Sequence, residues 1–212
     1  MVDKRANRRP DPYIISLDEL LAGKILRGED IAMRAIQGPT TIRNDRDEVL
    51  YILEEDTGIL LPRGMEMEVD GTVIGVAAAP PGTAAFHKVH LRDQPVQKTG
   101  DRWYRELIQS EITQFVGSIP PGRAPDHFHL YEEMLCILQG SGFLWAGDSK
   151  TPIARGSCIY LPKRQMHCVE NTTSGELRLL GVFYPAGSPS VRYEVHESAD
   201  RAPRQRELDR RS

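Results

Sequence analysis

GRAPDHFHLYEEMLCILQG at Gly122–Gly140 and GSCIYLPKRQMHCVEN at Gly156–Asn171 are the two stretches of this 212-residue chain that decide its fold. Together they contain three imidazoles and a carboxylate that can form one mononuclear metal site, namely His127, His129, Glu133 and His167. Such a mixed nitrogen and oxygen ligand set suits borderline divalent ions such as Mn, Fe, Co, Ni, Cu or Zn. The sequence therefore predicts a metalloprotein, and an enzyme is the first hypothesis.

The spacing of these four residues predicts how the backbone runs. His127 and His129 are two residues apart, so on a strand both side chains project from one face. Glu133 follows six residues after His127, and a straight strand would place it roughly 20 Å away. Ligands of one ion lie about 2.0–2.2 Å from it. We therefore expect a bend before Glu133, with His167 arriving from another strand of a small β-barrel.

The first stretch resembles the first motif of the cupin superfamily, which runs Gly, His-x-His, Glu, Gly. Gly122, His127, His129, Glu133 and Gly140 take these places. Gly122 is one residue closer to the histidines than the family pattern asks, whereas the other gaps fit.

The second stretch resembles the second cupin motif, with Gly156, Pro162, His167 and Asn171 at matching positions. Arg164 stands where the family has glycine, which tolerates a positive φ far better than arginine does. This departure bears on the turn and not on the ligands. The resemblance covers about residues 103–185.

The resemblance implies an all-β fold, a cupin double-stranded β-helix or jelly roll. It also implies that the three histidines and Glu133 bind one divalent transition metal ion, which could be Fe, Mn, Ni or Zn. Glu132 competes with Glu133 as the carboxylate ligand, but the six-residue gap to Gly140 favours Glu133. Cupins include dioxygenases, decarboxylases, isomerases, lyases and hydrolases, so fold and ligands do not choose the reaction.

Three further side chains are candidate catalytic residues because they are close to ligands in the sequence. Tyr131 and Gln165 could orient a substrate or relay a proton, and Arg164 could bind a substrate carboxylate. The alternatives are a packed bend residue for Tyr131 and an exposed turn residue for Arg164. His87 and His90 have no carboxylate at a matching distance, so we interpret them as solvated or structural.

The N-terminal half contains a faint repeat of the metal-binding half. Asp47–Leu53 aligns with Glu132–Leu138, and Gly75–Pro81 aligns with Gly156–Pro162. The matches are short and apolar, so they predict either a second barrel or one barrel with N-terminal strands added to its sheets.

On these alignments the N-terminal half has lost its metal. Ile42 and Asn44 replace the first two histidines, Phe86 replaces the third, and only Glu48 of the four ligands remains. We expect an N-terminal arm with a short helix at 1–30, a degenerate metal-free cupin-like half at 31–98, a metal-binding cupin domain at 99–198 and a charged tail at 199–212.

Local patterns place the secondary structure. Ser16 and Glu19 have the spacing of a capping box and Gly23 can end a helix, which predicts a helix over 17–22. A loop over 92–101 is expected between the halves. Short apolar runs broken by Gly, Pro, Asn and Asp predict strands, among them Val49–Leu53, Val73–Ala78, Ile112–Val116, Met134–Leu138 and Leu177–Phe183.

Composition limits the partners. The net charge of −3 gives no basic field for nucleic acid, and no stretch is apolar and long enough to cross a membrane. Cys136, Cys158 and Cys168 form neither a metal-binding pair nor an even disulfide set, which favours a reducing cytoplasm and buried thiols. A homodimer is expected by analogy with many cupins.

The leading functional hypothesis is a metal-dependent cupin enzyme that acts on a small, carboxylate-bearing organic molecule. Dioxygenase-type chemistry is the first subclass, followed by lyase or isomerase chemistry. The alternative is a non-catalytic metal- or small-molecule-binding cupin such as a sensor. No fused DNA-binding helical module is evident, which weighs against a transcriptional regulator.

Overall fold

A computed structural model describes residues 13–78 and 84–190 of the chain. These residues form antiparallel strands almost throughout, which confirms the prediction of an all-β jelly roll with one short helix. The predicted charged tail at 199–212 and the start of the N-terminal arm lie outside the described residues. No helix within the described ranges is long and apolar enough to span a membrane.

The N-terminal half begins with a strand, a helix and eight further strands. They are β1 (Tyr13–Ser16), α1 (Leu17–Leu21), β2 (Leu26–Arg27), β3 (Ile31–Gln37), β4 (Thr40–Arg43), β5 (Glu48–Ile52), β6 (Thr57–Leu61), β7 (Glu66–Val69), β8 (Thr72–Ala78) and β9 (His87–His90).

The C-terminal half follows a 3-10 turn at Leu91–Asp93. Its strands are β10 (Gln97–Thr99), β11 (Arg102–Gln109), β12 (Thr113–Ile119), β13 (Gly122–Arg123), β14 (Glu132–Gln139), β15 (Ser141–Ala146), β16 (Ser149–Ala154), β17 (Ser157–Leu161), β18 (His167–Asn171) and β19 (Leu177–Tyr184).

The helix α1 forms where the capping box predicts it. The Ser16 hydroxyl accepts a hydrogen bond from the backbone N–H of Glu19 at 3.1 Å, and the Glu19 carboxylate accepts one from the N–H of Ser16 at 2.8 Å. Gly23 follows the helix with a φ of 93°, which glycine adopts at little cost. Leu20 is the residue of α1 that is buried in the core.

The predicted loop at 92–101 is partly wrong, because it contains the strand β10. Three polar residues without apolar alternation gave no strand signal. β10 forms because it pairs with β11 at the edge of a seven-stranded sheet in the order β1-β17-β14-β19-β12-β11-β10. β1 pairs with β17 at the other edge, so the start of the described chain packs on the C-terminal half.

The central strand β14 is buried on both faces, which explains its continuous apolar sequence. Met134 and Cys136 face a core shared with strands of the N-terminal half. Leu135 and Ile137 face the interior of the C-terminal barrel. A second sheet, in the order β13-β18-β15-β16, covers that interior. The strand period of two therefore directs Glu133 into the barrel and its neighbour to the opposite face.

The N-terminal half repeats the strand order of the C-terminal half. Its six-stranded sheet contains the order β3-β8-β5-β6, which corresponds to β12-β19-β14-β17, and the pair β4-β7 corresponds to β13-β18. The hairpin β15-β16 has no counterpart, because residues 53–56 turn directly from β5 into β6. The repeat is therefore a shortened version of the same winding.

The registers correct one of our two sequence alignments. Gly75 lies in β8, which corresponds to β19, so its alignment with Gly156 is wrong; the rest of that match, residues 79–81, lies outside the described residues. The segment that corresponds to β17 and Pro162 is β6 with Pro62. Short runs of small apolar residues resemble one another too closely to fix a register.

The second correction concerns the residue in the place of the third histidine. His127 and His167 are bridged across their strands, and Ile42 and Met67 are paired in the same way. Met67 therefore replaces His167, and the expectation for Phe86 is wrong. Phe86 lies outside the strands and is 45% exposed.

Candidate metal centre

Two backbone hydrogen bonds position the first and the last of the predicted ligands. The N–H of His127 donates to the carbonyl of His167 at 3.0 Å, and the N–H of His167 donates back at 2.8 Å. His129 is fixed in turn, since its carbonyl accepts a hydrogen bond from the N–H of Arg164 at 2.7 Å. The turn after β17 thus ties both motifs together.

The three predicted histidine ligands converge on one point inside the barrel, and Glu133 lies beside two of them. One ring nitrogen each of His127, His129 and His167 lies within 4.8 Å of the other two. Glu133 Oε2 lies 3.3 Å from His167 Nε2 and 3.9 Å from His129 Nε2. Because an ion about 2.0–2.2 Å from each ligand holds them at most about 4.4 Å apart, the three imidazoles need shifts of only a few tenths of an ångström to share one ion.

Two of the imidazoles are held in the tautomer that metal binding requires. His127 Nδ1 lies 3.0 Å from the carbonyl oxygen of Pro125, and His167 Nδ1 lies 2.8 Å from that of Gln165. A carbonyl oxygen only accepts, so each Nδ1 carries the proton and each Nε2 presents its lone pair to the site.

The charges of the site favour a neutral His127 ring beside an ionised Glu133 carboxylate. Burial, with His167 and His129 nearby, lowers the pKa of His127 to about 3. Burial alone would raise the pKa of Glu133, but the three histidines, His167 foremost, lower it below its ordinary value. Neutral imidazole and carboxylate are the forms that coordinate a cation.

Glu133 provides the test of whether a metal fits. Its Oε2 is buried and accepts no hydrogen bond from any residue that the structure describes. A buried carboxylate oxygen without a donor is strongly unfavourable unless a cation compensates it. The atom points at the histidine Nε2 atoms, so the site fits a divalent ion held by three nitrogens and one oxygen.

Glu132 faces away from this point. It is fully buried on the opposite face of β14, where its carboxylate accepts hydrogen bonds from the N–H groups of Glu29 and Asp30 at 2.8 and 2.9 Å. The geometry agrees with the choice of Glu133 that the motif spacing made.

The three candidate catalytic residues surround the site without pointing into its cavity. The Tyr131 ring stacks on His129 at 4.8 Å, and its hydroxyl donates to the carbonyl of Ser188 at 2.9 Å. Gln165 is buried, and its amide donates to the carbonyl of Met166 at 3.1 Å. Arg164 is exposed and has a φ of 64°, the conformation that the family's glycine favours. Their catalytic roles remain predictions.

The other histidines and the cysteines lie apart from the centre. His87 is exposed, and His90 Nδ1 lies 2.7 Å from the Thr57 hydroxyl. The three cysteines are buried free thiols, as predicted. Cys168 lies on the outer face of β18, where its Sγ accepts a hydrogen bond from Arg123 Nε at 3.2 Å.

A cavity of about 100 Å³ opens onto the ligands. Sequence reasoning missed three polar residues of its lining, Thr99, Arg102 and Ser118. The only signal was the alternation of Arg102 and Tyr104 along β11, which is uninformative until the strand's register is known. The remaining walls are mainly apolar or aromatic and include Tyr104, Phe115, Ile119, Leu135, Val169, Leu179 and Phe183.

Comparisons with known proteins agree with this architecture. The family model described as "Cupin domain" matches residues 115–183. No curated protein sequence matches the chain. Among solved structures, a variant of Bacillus subtilis oxalate decarboxylase is 11% identical over 84% of this chain and 74% of that chain, with a TM-score of 0.61.

Two further structures show the same likeness. Lactobacillus farciminis oxalate decarboxylase, as a formate complex, is 11% identical over 82% of this chain and 87% of that chain, with a TM-score of 0.60. AerE from Microcystis aeruginosa is 12% identical over 75% and 90%, with a TM-score of 0.58. At such identities the likeness concerns the fold. The family match adds that residues 115–183 are similar in sequence to cupin domains.

Proposed function

We propose that this chain is a metal-dependent cupin enzyme that acts on a small, carboxylate-bearing organic molecule. The observation that carries the proposal is the buried Glu133 oxygen, which faces the histidine Nε2 atoms and has no hydrogen-bond donor among the described residues. The ligand set suits Fe, Mn, Ni or Zn. The oxalate decarboxylase of B. subtilis contains Mn(II) centres, so Mn is one of the ions to test first.

Held by His127, His129, Glu133 and His167, a divalent ion would supply Lewis-acid chemistry toward a bound substrate. The protein contributes the surroundings of that ion. The Nδ1 hydrogen bonds of His127 and His167 fix the ring planes. The rings of Phe115 and Phe183, 4.8 Å apart, form an apolar wall that excludes water.

Dioxygenase-type chemistry is the first subclass of the proposal. Apart from the ligands, the described lining of the cavity has no carboxylate and no histidine, and the Tyr104 hydroxyl donates to Gln97 at 2.8 Å. Isomerases and hydrolases need a general acid or base within hydrogen-bond reach of the substrate. The lining therefore favours a reaction in which the protein moves few protons.

The same lining supports the second candidate, a non-catalytic binding protein. A site without a proton relay can hold a metal and a ligand without turning the ligand over. Oxygen consumption separates the two candidates, because an oxygenase takes up oxygen in the presence of substrate and a binding protein does not.

Metal analysis of protein purified without added metal tests the proposal. We expect close to one transition metal ion per chain, and His129→Ala should lose most of it because one of four ligands is gone. His87→Ala is the matched control and should keep its metal. Full retention in His129→Ala, or a large loss in His87→Ala, would contradict the assignment.

The proposal includes two properties of the molecule as a whole. We propose a homodimer, by analogy with other cupins, which light scattering at micromolar concentration tests directly. We also propose a cytoplasmic location, which the three free buried thiols support. Fractionation of cells that express the chain tests this location.

A further inference from the structure

One region of the cavity contains an arginine and a threonine that the metal centre does not use. Thr99 of β10 is paired with Arg102 of β11, and Gln97 with Tyr104 in the same ladder. Because side chains two residues apart share a face, Arg102 lies on the face of β11 that carries the buried Tyr104. Both Thr99 and Arg102 line the cavity onto which the ligands open.

Both side chains have buried polar atoms without partners. Arg102 Nε and Thr99 Oγ1 are buried and make no hydrogen bond with any described residue. The acid nearest to Arg102 is Asp101, which is 73% exposed and 4.0 Å away, whereas the Arg102 side chain is only 14% exposed. Leaving such donors unsatisfied is unfavourable, and more so for a charged group.

Other partly buried arginines of this protein do have partners. Arg34 donates to Glu48 at 2.8 and 2.6 Å, and Arg105 donates to three backbone carbonyls at 2.8–3.0 Å. Arg178 donates to Asp56 through Nη2 at 3.4 Å, although its Nε, like that of Arg102, is buried without a partner among the described residues. Arg102 differs from them in facing a cavity, so its partner is expected to be a molecule that enters it.

The separation between the Arg102 guanidinium and the metal centre limits the length of that molecule. Glu133 is paired with Phe183, and Phe183 with Thr113 at the start of β12. Arg102 precedes Trp103, which is paired with Ser118 near the end of β12. The guanidinium and the metal centre thus lie toward opposite ends of one strand, with apolar walls between them.

We propose that Arg102 and Thr99 bind the carboxylate of a small monocarboxylate whose apolar body extends toward the metal centre. The inference rests on the proposed function and adds the substrate class. A guanidinium presents a planar fork that matches a carboxylate. A cavity of about 100 Å³ limits the enclosed body, since benzene occupies an engineered cavity of about 150 Å³.

Calorimetric titration with butyrate and its neutral isostere butyramide tests the inference on the metal-loaded full chain. We expect butyrate to bind at least tenfold more tightly than butyramide. Arg102→Leu should weaken butyrate at least tenfold and change butyramide by less than about twofold, since only the carboxylate loses its partner. Arg102→Lys keeps the charge but not the planar fork, so its butyrate affinity should fall between those of the unchanged protein and Arg102→Leu. Thr99→Val should bind butyrate a few-fold more weakly.

The control and a second variant keep the test decisive. Arg155→Leu removes an exposed arginine at another turn and should leave butyrate affinity unchanged. Arg102→Gln, which keeps a polar side chain but removes the charge, serves if the leucine variant folds poorly, and it should lose butyrate affinity equally. Equal binding of butyrate and butyramide, or full butyrate affinity in Arg102→Leu or Arg102→Gln, would overturn the inference.

Repeating the titration on metal-free protein separates this inference from the proposed function. Butyrate affinity that depends on the metal and not on Arg102 would overturn the inference and leave the metal enzyme standing. If the chain binds no metal but loses butyrate with Arg102→Leu, the proposed function fails and the carboxylate site stands.

Discussion

Glu133 in the C-terminal half and Glu48 in the N-terminal half take corresponding places near the start of the central strands β14 and β5, and both are buried, but their charges are compensated differently. Glu133 faces three imidazoles at a site that fits a metal ion. Glu48 accepts two hydrogen bonds from the guanidinium of Arg34, a residue of β3. A buried carboxylate needs a cation in either case, and the N-terminal half supplies it from its own sequence.

Glycine makes room for each arrangement at the same place. Arg34 corresponds to Phe115, and each lies beside a glycine of the next strand, Gly75 and Gly181. A Cβ added at Gly75 would clash with the Glu48 carboxylate, and one added at Gly181 would clash with the Phe115 ring. The two halves therefore have the same backbone arrangement at this glycine. They differ in the side chain that packs against it, which is the Glu48 carboxylate in one half and the Phe115 ring in the other.

The largest effect is expected where the N-terminal charge pair is broken. Arg34→Leu leaves Glu48 buried without its cation, and we expect the free energy of unfolding to fall by about 2–3 kcal/mol in urea denaturation at neutral pH. This is below the usual loss of about 3–5 kcal/mol for a fully buried pair, because 35% of the Arg34 side chain is exposed.

The control for this variant is Arg43→Leu in the same half. Arg43 pairs with Glu66 at 2.9 Å, but both side chains are more than half exposed, so its removal should change stability little. Equal losses in the two variants would mean that Glu48 does not depend on Arg34.

A smaller loss of stability is expected when the pH is lowered, and its cause should lie in the C-terminal half. In the metal-free protein the pKa of His127 is lowered from 6.5 to about 3. Between these values the unfolded chain binds the extra proton, so stability rises with pH and falls as pH drops from 6.5 toward 3. We expect a loss on the order of 1–2 kcal/mol by pH 4.5.

Urea denaturation of metal-free protein at pH 7.0 and pH 4.5 measures this loss. His127→Ile, which copies Ile42 of the other half, removes the titrating ring and should reduce the difference between the two pH values. An unchanged pH difference in this variant would show that His127 does not account for it.

The smallest effect is expected at the turns that precede β18 and β7. Arg164 has a φ of 64° and Gly64, in the corresponding turn, has 77°. The N–H of Gly64 donates to the carbonyl of Asn44 at 3.1 Å, as that of Arg164 does to His129. The two turns are thus the same, although the residue at the positive φ differs.

Substitutions at these two positions test how much the positive φ destabilises a residue with a side chain. Gly64→Ala should destabilise the protein by about 1 kcal/mol, because open space surrounds its added Cβ and only the backbone is strained. Arg164→Gly should stabilise it by at most about 1 kcal/mol. Thermal unfolding with the metal-free protein measures both, and a stabilising Gly64→Ala or a destabilising Arg164→Gly would contradict the correspondence.

The ligands could be predicted from the sequence because their motif spacing is local. His127, His129 and Glu133 lie within seven residues, and the gap to Gly140 was enough to choose Glu133 over Glu132. The capping box at Ser16 likewise acts within one helical turn. Such features depend on neighbours along the chain, so a pattern of residues carries them.

Strand register could not be predicted in the same way. The alignment that placed Phe86 at the third histidine failed because runs of small apolar residues fit several registers, and the pairing of Ile42 with Met67 decided the matter. The polar strand β10 was missed for a related reason, since its partner β11 and not its own composition makes it a strand.

The sequence by itself determined the all-β class and the capped helix and singled out the four candidate metal ligands, because each depends on residue types at short, fixed intervals. Only the tertiary structure decided that Arg34 compensates the charge of Glu48 and that Arg102 faces the cavity of the C-terminal barrel. Those facts depend on which strands lie side by side and which face each presents, and hydrogen bonds between residues far apart in the chain set both.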